Sequence, residues 1–402
     1  MKNKAFSMRR LIFYELRKSF LNPWMLVFFA VLMIFNGFKV ASEYKDRTNA
    51  YSEYQTVYDV FYDKWSGDIT AENITEFMEI YTPIKNKFPY PDQSYDPNSY
   101  TYNINTDYIF FTEQFYNQMH YSYMYRNDAY EIYSRASSLA RFYESIGNTY
   151  EMSKNIDIAN RFRGRVVSDF SHIHAAEVWL NYDYSALLVI LLCLFGLCPM
   201  FVTERETDMY MLLRTTKSGN SATVCAKLIA SLLYIVVVCL LFFGEDYLIL
   251  MQLSEHPEIL NSPIYAIRYF ESTPLNMTIG QYWLWASAVK TLGFIALGSM
   301  VLFISCLCKR VLSAFISSFA AVMVLIVLQE FFRTHVSLKW FNPIELIMVR
   351  DIVAITEYVN VFGLAVPLYA FVLGGVLLTS VIVFVEILLF NPGRAKRGYR
   401  HA

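Results

Sequence analysis

Residues 184–203 read Tyr184-Ser-Ala-Leu187-Leu188-Val189-Ile190-Leu191-Leu192-Cys193-Leu-Phe-Gly-Leu-Cys198-Pro-Met-Phe201-Val-Thr203. This stretch carries no charged side chain, and a bilayer core needs about 20 apolar residues as a helix. It reads as a membrane span. Working outward from it, similar stretches lie at about 24–43, 228–252, 284–308, 311–332 and 367–390. The first has no small-x-small site near its end and closes on Lys39 and Tyr44, so it reads as a signal anchor and not a cleaved leader. The fold expected is all-α and polytopic, with six transmembrane helices.

The composition agrees. Of 402 residues, 55% are hydrophobic and 17% charged, and mean hydropathy is +0.30. A soluble enzyme or a disordered chain would carry more charge and less apolar bulk. The formal net charge of −1 gives no reason to expect nucleic-acid binding. That total hides a division. Residues 44–182 hold 19 acids and 12 bases, whereas the remainder is basic. None of the six cysteines lies in 44–182, which excludes a disulfide framework there. All six read as small apolar residues.

Lysine and arginine in the short flanks set the orientation. One side collects sixteen, among them Arg9, Arg10, Lys18, Arg205, Arg214, Lys217, Lys227, Lys309, Arg310 and Arg394. The opposite short loops hold only Arg268, Arg333, Lys339 and Arg350. Both termini are therefore expected in the cytoplasm of a cell-membrane protein. Residues 1–23 then form a cytoplasmic amphipathic helix, 24–43 the first span, and 44–182 a large extracytoplasmic domain. Residues 183–402 form the membrane body with spans two to six, a cytoplasmic loop at 203–227 and a basic tail.

The 44–182 domain holds 20 of the 31 tyrosines. Pro89–Pro97 reads as an irregular loop. A long helix is expected from about Asp107 to Ile146, capped by Thr106 and stopped near Gly147. Its stripe is Tyr108, Phe111, Phe115, Met119, Tyr123, Tyr130 and Tyr133. A second helix carries Met152, Ile156, Ala159, Phe162, Val166 and Phe170, and a shorter one lies near 73–87. The tyrosines read as core bulk whose hydroxyls reach water, in preference to a ligand-gripping surface. His172-x-His174 lacks the i,i+4 spacing that two ligands on one helix face need, so no metal is expected.

Between spans two and three the chain reads Phe201-Val-Thr-Glu204-Arg205-Glu206-Thr-Asp208-Met-Tyr-Met211-Leu212-Leu213-Arg214-Thr-Thr-Lys217-Ser-Gly-Asn220-Ser221, with Lys227 beyond. Span two is expected to continue as a charged helix through Met211, Leu212 and Leu213, then to turn at 215–220. Ser221 can cap the next helix, and Lys227 marks where it enters the membrane. The result is a helical elbow.

This stretch resembles the permease subunits of ABC-2 type transporters. Their loop runs Glu-x-Glu, Gly, a Leu-Leu pair, a small-Pro-x-Ser-Arg turn and a Lys opening the third span. Glu204, Glu206, Leu212, Leu213 and Lys227 match in type and offset. Asp208 replaces the glycine, and Lys217, Gly219 and Asn220 replace the turn residues. The six-span layout, the basic segment Met8–Phe20 and the insertion after span one are also similar to that family. The resemblance implies a permease without a nucleotide site, paired with a second copy or a paralogue among membrane lipids. It binds no cofactor itself. ATP and Mg belong to a separate cytosolic ABC ATPase subunit, and no G-x-x-x-x-G-K-[ST] occurs here. The ATPase would dock on Glu204, Arg205, Glu206, Leu212, Leu213, Arg214, Lys217 and Ser221, and on Arg9, Arg10 and Lys18.

Ionisable groups inside spans usually have partners or roles. Glu245 and Asp246 fall near the far end of span three, and Lys290 at a similar depth on span four. The expectation pairs Lys290 with Glu245 or Asp246. No catalytic constellation is evident, so the chain is expected not to be an enzyme. The function expected is ATP-driven export of a peptide, lipid or other amphipathic substrate. The alternative is a membrane sensor or immunity protein that binds an extracellular ligand, such as an antimicrobial peptide, with little transport.

Overall fold

Local signals in the chain start and stop the helices. Asn22 accepts the Met25 amide at 2.9 Å and opens the first span. Thr278 and Gln281 form a reciprocal capping box at the head of the fourth. A computed structural model describes residues 2–49, 55–87, 108–170, 174–209, 221–254, 257–332 and 335–389. Within them the chain is mostly helical, and six helices are long and apolar enough to cross a membrane. It is a multi-pass membrane protein.

Helix α1 (Lys2–Ser19) precedes α2 (Pro23–Asn49), which holds span one. The insertion comprises α3 (Gln55–Trp65), α4 (Ala71–Lys87), α5 (Asn117–Ser145) and α6 (Thr149–Phe162). Strands β1 (Gly67–Asp68) and β2 (Asp169–Phe170) pair antiparallel across it. Span two is built from α7 (His174–Asn181), α8 (Tyr184–Leu197) and α9 (Pro199–Glu206). Spans three, four and five are α10 (Ser221–Leu253), α11 (Ile279–Leu307) and α12 (Val311–Phe332). Two short helices follow, α13 (Pro343–Ile347) and α14 (Val349–Val353). A hairpin of β3 (Tyr358–Val361) and β4 (Leu364–Pro367) then leads into α15 (Leu368–Leu389), the sixth span.

Spans two, three and four form the buried centre, and spans one, five and six lie at the periphery. The main core joins Leu192, Leu197, Ile235, Phe242, Phe294 and Leu297. The insertion has its own aromatic core around Trp65, Phe77, Tyr81, Phe111 and Phe115. Several tyrosines of the insertion are buried, as expected, but the hydroxyls of Tyr81 and Tyr125 find protein partners where water was expected. Tyr81 bonds Thr112 at 3.0 Å, and Tyr125 donates to the Glu271 carbonyl at 3.0 Å. Burial pushes the Tyr125 hydroxyl up to about 12.

Three expectations for the insertion change. The helix from Thr149 ends at Phe162, short of Val166 and Phe170, because Arg163 is extended and Gly164 takes φ +71°. The stripe on α5 runs through Met119, Ser122, Tyr125 and Ala129, while Tyr123 and Tyr130 are 47% and 67% exposed. A π turn at Thr112–Tyr116 precedes it, and one extra residue per turn rotates the following face. Helix α3 and the β1–β2 pair were not expected. Thr106, Asp107, Pro89–Pro97 and His172 lie outside the described residues.

Between spans five and six the chain turns back into the bundle and packs beside the middle of span four. Gly293 lies about 21 Å along the fourth span, near its middle. A Cβ there would stand 3.0 Å from the Leu346 Cβ. Asn342 explains how polar backbone is tolerated at this depth. It is fully buried, its Oδ1 caps the Ile344 amide at 3.1 Å, and its Nδ2 donates to the Leu325 carbonyl at 3.0 Å.

The same segment packs on span six at Gly375, where a Cβ would stand 2.7 Å from Trp340 Cβ and closer still to the Trp340 carbonyl oxygen. Neighbouring Gly374 has open space. Gly375→Ala is therefore expected to destabilise by about 1–3 kcal/mol through overpacking. Gly374→Ala should be neutral or stabilising by up to about 1 kcal/mol. Thermal midpoints of the two variants in detergent check this, and equal midpoints would refute it.

Candidate functional site

Two polar centres lie at opposite ends of the bundle. The first is at the elbow. Lys227 is a cation on an otherwise apolar helix, 2% exposed. Its Nζ reaches Glu15 Oε2 at 3.1 Å, Glu204 Oε1 at 2.9 Å and the Met200 carbonyl at 2.8 Å. Its ammonium donates to Glu15 and the Met200 carbonyl and forms a further ion pair with Glu204. Lys18 reaches the same Glu204 Oε1 at 3.2 Å, so two lysines offset two glutamates. The node fastens α1 to the end of span two and the start of span three. Phe20 reinforces it, stacked on Tyr234 at 4.0 Å.

Arg205 and Glu206 extend the connection. Arg205 Nη1 donates to the Cys308 carbonyl at 3.2 Å, and Glu206 Oε2 accepts the Val311 amide at 3.4 Å. Three consecutive side chains thus hold α1 with span three, the end of span four and the start of span five. Helix α9 stops at Glu206, where the sequence predicts that the helix continues. Thr207 caps it, and Asp208 adopts φ +53°. That is the left-handed position after a helix that glycine usually fills, and aspartate tolerates it better than most residues. Asp208 therefore falls where glycine's conformational freedom is ordinarily used.

Of the remaining elbow residues, Leu212, Leu213, Arg214 and Lys217 lie outside the described residues. Helix α10 begins at Ser221, where the cap is expected. Arg9 and Arg10 are exposed on α1, beside exposed Phe13 and Tyr14.

The second centre lies on the side of the insertion. The expected pairing of Lys290 with Glu245 or Asp246 is corrected here. Lys290 Nζ bonds Asp183 Oδ1 at 3.2 Å. The two acids instead share Asn36 of span one, whose Nδ2 donates to Glu245 Oε2 at 3.0 Å and Asp246 Oδ1 at 2.7 Å. The Tyr182 hydroxyl donates to Asn36 Oδ1 at 2.9 Å. Asp183 lies at the break between α7 and α8 of span two, closer to Lys290 than sequence depth could show. Lys290 and Asp246 still line one small chamber, of about 40 Å³, together with Arg350.

Arg350 connects this chamber to a cavity of about 880 Å³. Its Nη2 lies 3.8 Å from Asp183 Oδ2, and its Nη1 donates to Asn181 Oδ1 at 2.8 Å. Carboxylates line much of the cavity: Asp183, Glu271, Glu330, Glu345, Asp351 and Glu357, against Lys339 and Arg350. Glu345 is buried on the re-entrant segment with Lys339 Nζ 4.0 Å away.

The insertion covers this end of the bundle and bonds to the loops around it. Tyr121 donates to the Tyr265 carbonyl at 2.7 Å, and Arg165 Nε to Asn276 Oδ1 at 2.7 Å. Tyr358 of the hairpin donates to Asp157. Burial lowers the affinity of the Arg165 guanidinium for its proton, and the Tyr125 hydroxyl beside it acts in the opposite sense. Among the described residues no three His, Cys, Asp or Glu side chains converge as metal ligands would. No family model matches the chain, and no curated protein matches it.

Proposed function

We propose that the chain is the membrane subunit of an ABC-2 type transporter that exports a peptide, lipid or other amphipathic substrate. A separate ATPase subunit drives it, and a second copy or a paralogue completes the path. One observation carries this reading: Glu204, Arg205 and Glu206, at the root of the elbow, bond to four other elements of the membrane body. A displacement of the elbow is therefore transmitted to α1 and to spans three, four and five together. ATP would supply the free energy through its differential affinity for two states of the partner subunits. On this reading the elbow and both termini face the cytoplasm, and the insertion and the acidic cavity face outward.

Coexpression with an ATPase encoded in an adjacent reading frame tests the proposal. The two chains are expected to copurify, and Leu212→Asp with Leu213→Asp should reduce that by 10-fold or more, about 1.4 kcal/mol. An Arg214→Cys variant should react with a membrane-impermeant maleimide only after the membrane is opened. Labelling of intact cells at this position would overturn the orientation and the docking site with it.

A second reading, a ligand sensor with little transport, is favoured by the direct bonds from the insertion to the loops at 265–276 and 358. A ligand held by the insertion would bias those loops and, through the spans, the elbow. Ligand-stimulated ATP hydrolysis without vectorial movement in liposomes would select it over export.

A further inference from the structure

We infer that the cavity between the re-entrant segment and the surrounding loops binds an organic polycation, with two or more ammonium or guanidinium groups, and that Glu345 is its principal anchor. The inference rests on the reading of this cavity as part of the substrate path.

Glu345 is 1% exposed, and its Oε1 has no hydrogen-bond donor among the described residues. Buried polar atoms without a partner are exceptions in folded proteins, and a carboxylate offers about four acceptor positions. Lys339, at 4.0 Å from Oε2, is too distant for a hydrogen bond. The residue lines the cavity, so a donor that reaches this buried oxygen from the cavity completes it.

The electrostatics give the sign of the ligand. Six carboxylates and two cations line the cavity, with Lys290 paired to Asp183 at its edge, so the lining is predominantly negative. Arg350 is already engaged by Asp183 and Asp351. The side chains of Glu271 and Glu357 make no ion pair among the described residues. A recess lined by one sign of charge between low-dielectric walls concentrates ions of the other sign and repels anions.

The spacing gives the class. A divalent metal collects about six or more oxygens at one point, and no such convergence occurs among the described residues. Carboxylates dispersed around about 880 Å³ match separated positive centres on one flexible molecule. That volume lies within the range of about 300–1,000 Å³ typical of sites for drug-sized ligands.

Isothermal titration of spermine into the detergent-solubilised full chain tests the inference, with Glu345→Gln, Glu345→Asp and Glu357→Gln in parallel. Saturable binding is expected. Glu345→Gln should weaken it by 10-fold or more, and Glu345→Asp by much less. Mg²⁺ at matched ionic strength should not displace spermine. Should Glu345→Gln fail to fold, Glu357→Gln reads the same charge from the rim and is expected to weaken binding by about 3-fold, or about 0.65 kcal/mol. Absence of saturable binding, unchanged affinity in Glu345→Gln, or displacement by Mg²⁺ would overturn the inference. If spermine binds as expected but no ATPase partner drives movement, the transport reading fails and the site stands. If a partner drives export and spermine does not bind, the site alone fails.

Discussion

Lys227→Met is expected to destabilise the protein by about 3–5 kcal/mol, the usual cost of removing one partner from a buried ion pair. The ammonium at 227 serves Glu15 and Glu204 at once, and the Glu15 side chain is 3% exposed. Without it, Glu15 retains neither water nor a counter-charge, and Glu204 retains only Lys18. The Met200 carbonyl also loses its side-chain donor. The double variant Lys227→Met with Glu15→Met should recover most of the loss, because it leaves one neutral pair, Lys18 with Glu204, in an apolar setting. Thermal unfolding of the full chain in detergent measures both variants. A single variant as stable as the parent, or a double variant no better than the single, would show that the node does not hold α1 to the bundle. The effect should also reach the proposed coupling, since α1 is tied to the elbow through these same charges.

At the opposite end, Asn36→Leu is expected to cost about 3 kcal/mol or more, because hydrogen bonds to charged groups contribute about 1.5–3 kcal/mol each and leaving the acceptors unmet adds to the loss. Asn36 is fully buried, and its amide donates to two adjacent carboxylates while accepting from Tyr182. Leucine has a similar size but leaves Glu245 and Asp246 facing each other without a shared donor. Asn36→Asp should be worse, since it adds a third carboxylate to the cluster. Adding Asp246→Asn to Asn36→Leu should restore part of the stability. A surface pair on the same helix gives the comparison. Lys39 and Glu43 are 2.7 Å apart with both side chains 41% exposed, and Lys39→Ala should change stability by no more than about 1 kcal/mol. Equal midpoints for Asn36→Leu and Lys39→Ala would refute the role assigned to Asn36. Span one is mostly peripheral, so this amide is one of the few polar links holding it to the centre.

The polar centres were only partly legible in the chain. Glu204, Arg205, Glu206 and Lys227 stood out because charges beside apolar runs are visible in one dimension, and the resemblance to a family loop added weight to them. Lys227 nevertheless read as a boundary marker, since its partner Glu15 lies 212 residues away. Lys290 was assigned to the acids at matching depth, but helix depth fixes height and not azimuth. Asp183, at the kink between α7 and α8, was nearer. Asn36 drew no attention at all, because a single amide in an apolar run raises no signal until the acids beneath it are seen. Glu345 was missed for a similar reason. It sits in a helix of five residues, too short to show a period.

Sequence by itself determined that the chain carries six segments long and apolar enough to cross a membrane, with one large insertion after the first. Those features depend on the transfer of contiguous apolar segments out of water, a property each segment has alone. Tertiary structure alone decided which charges meet, where the fifth connection packs back against the middle of span four, and that the insertion bonds to the loops beside an acidic cavity. These depend on which faces the helices turn toward one another, and contacts between residues more than 100 positions apart leave no trace in the order of the residues.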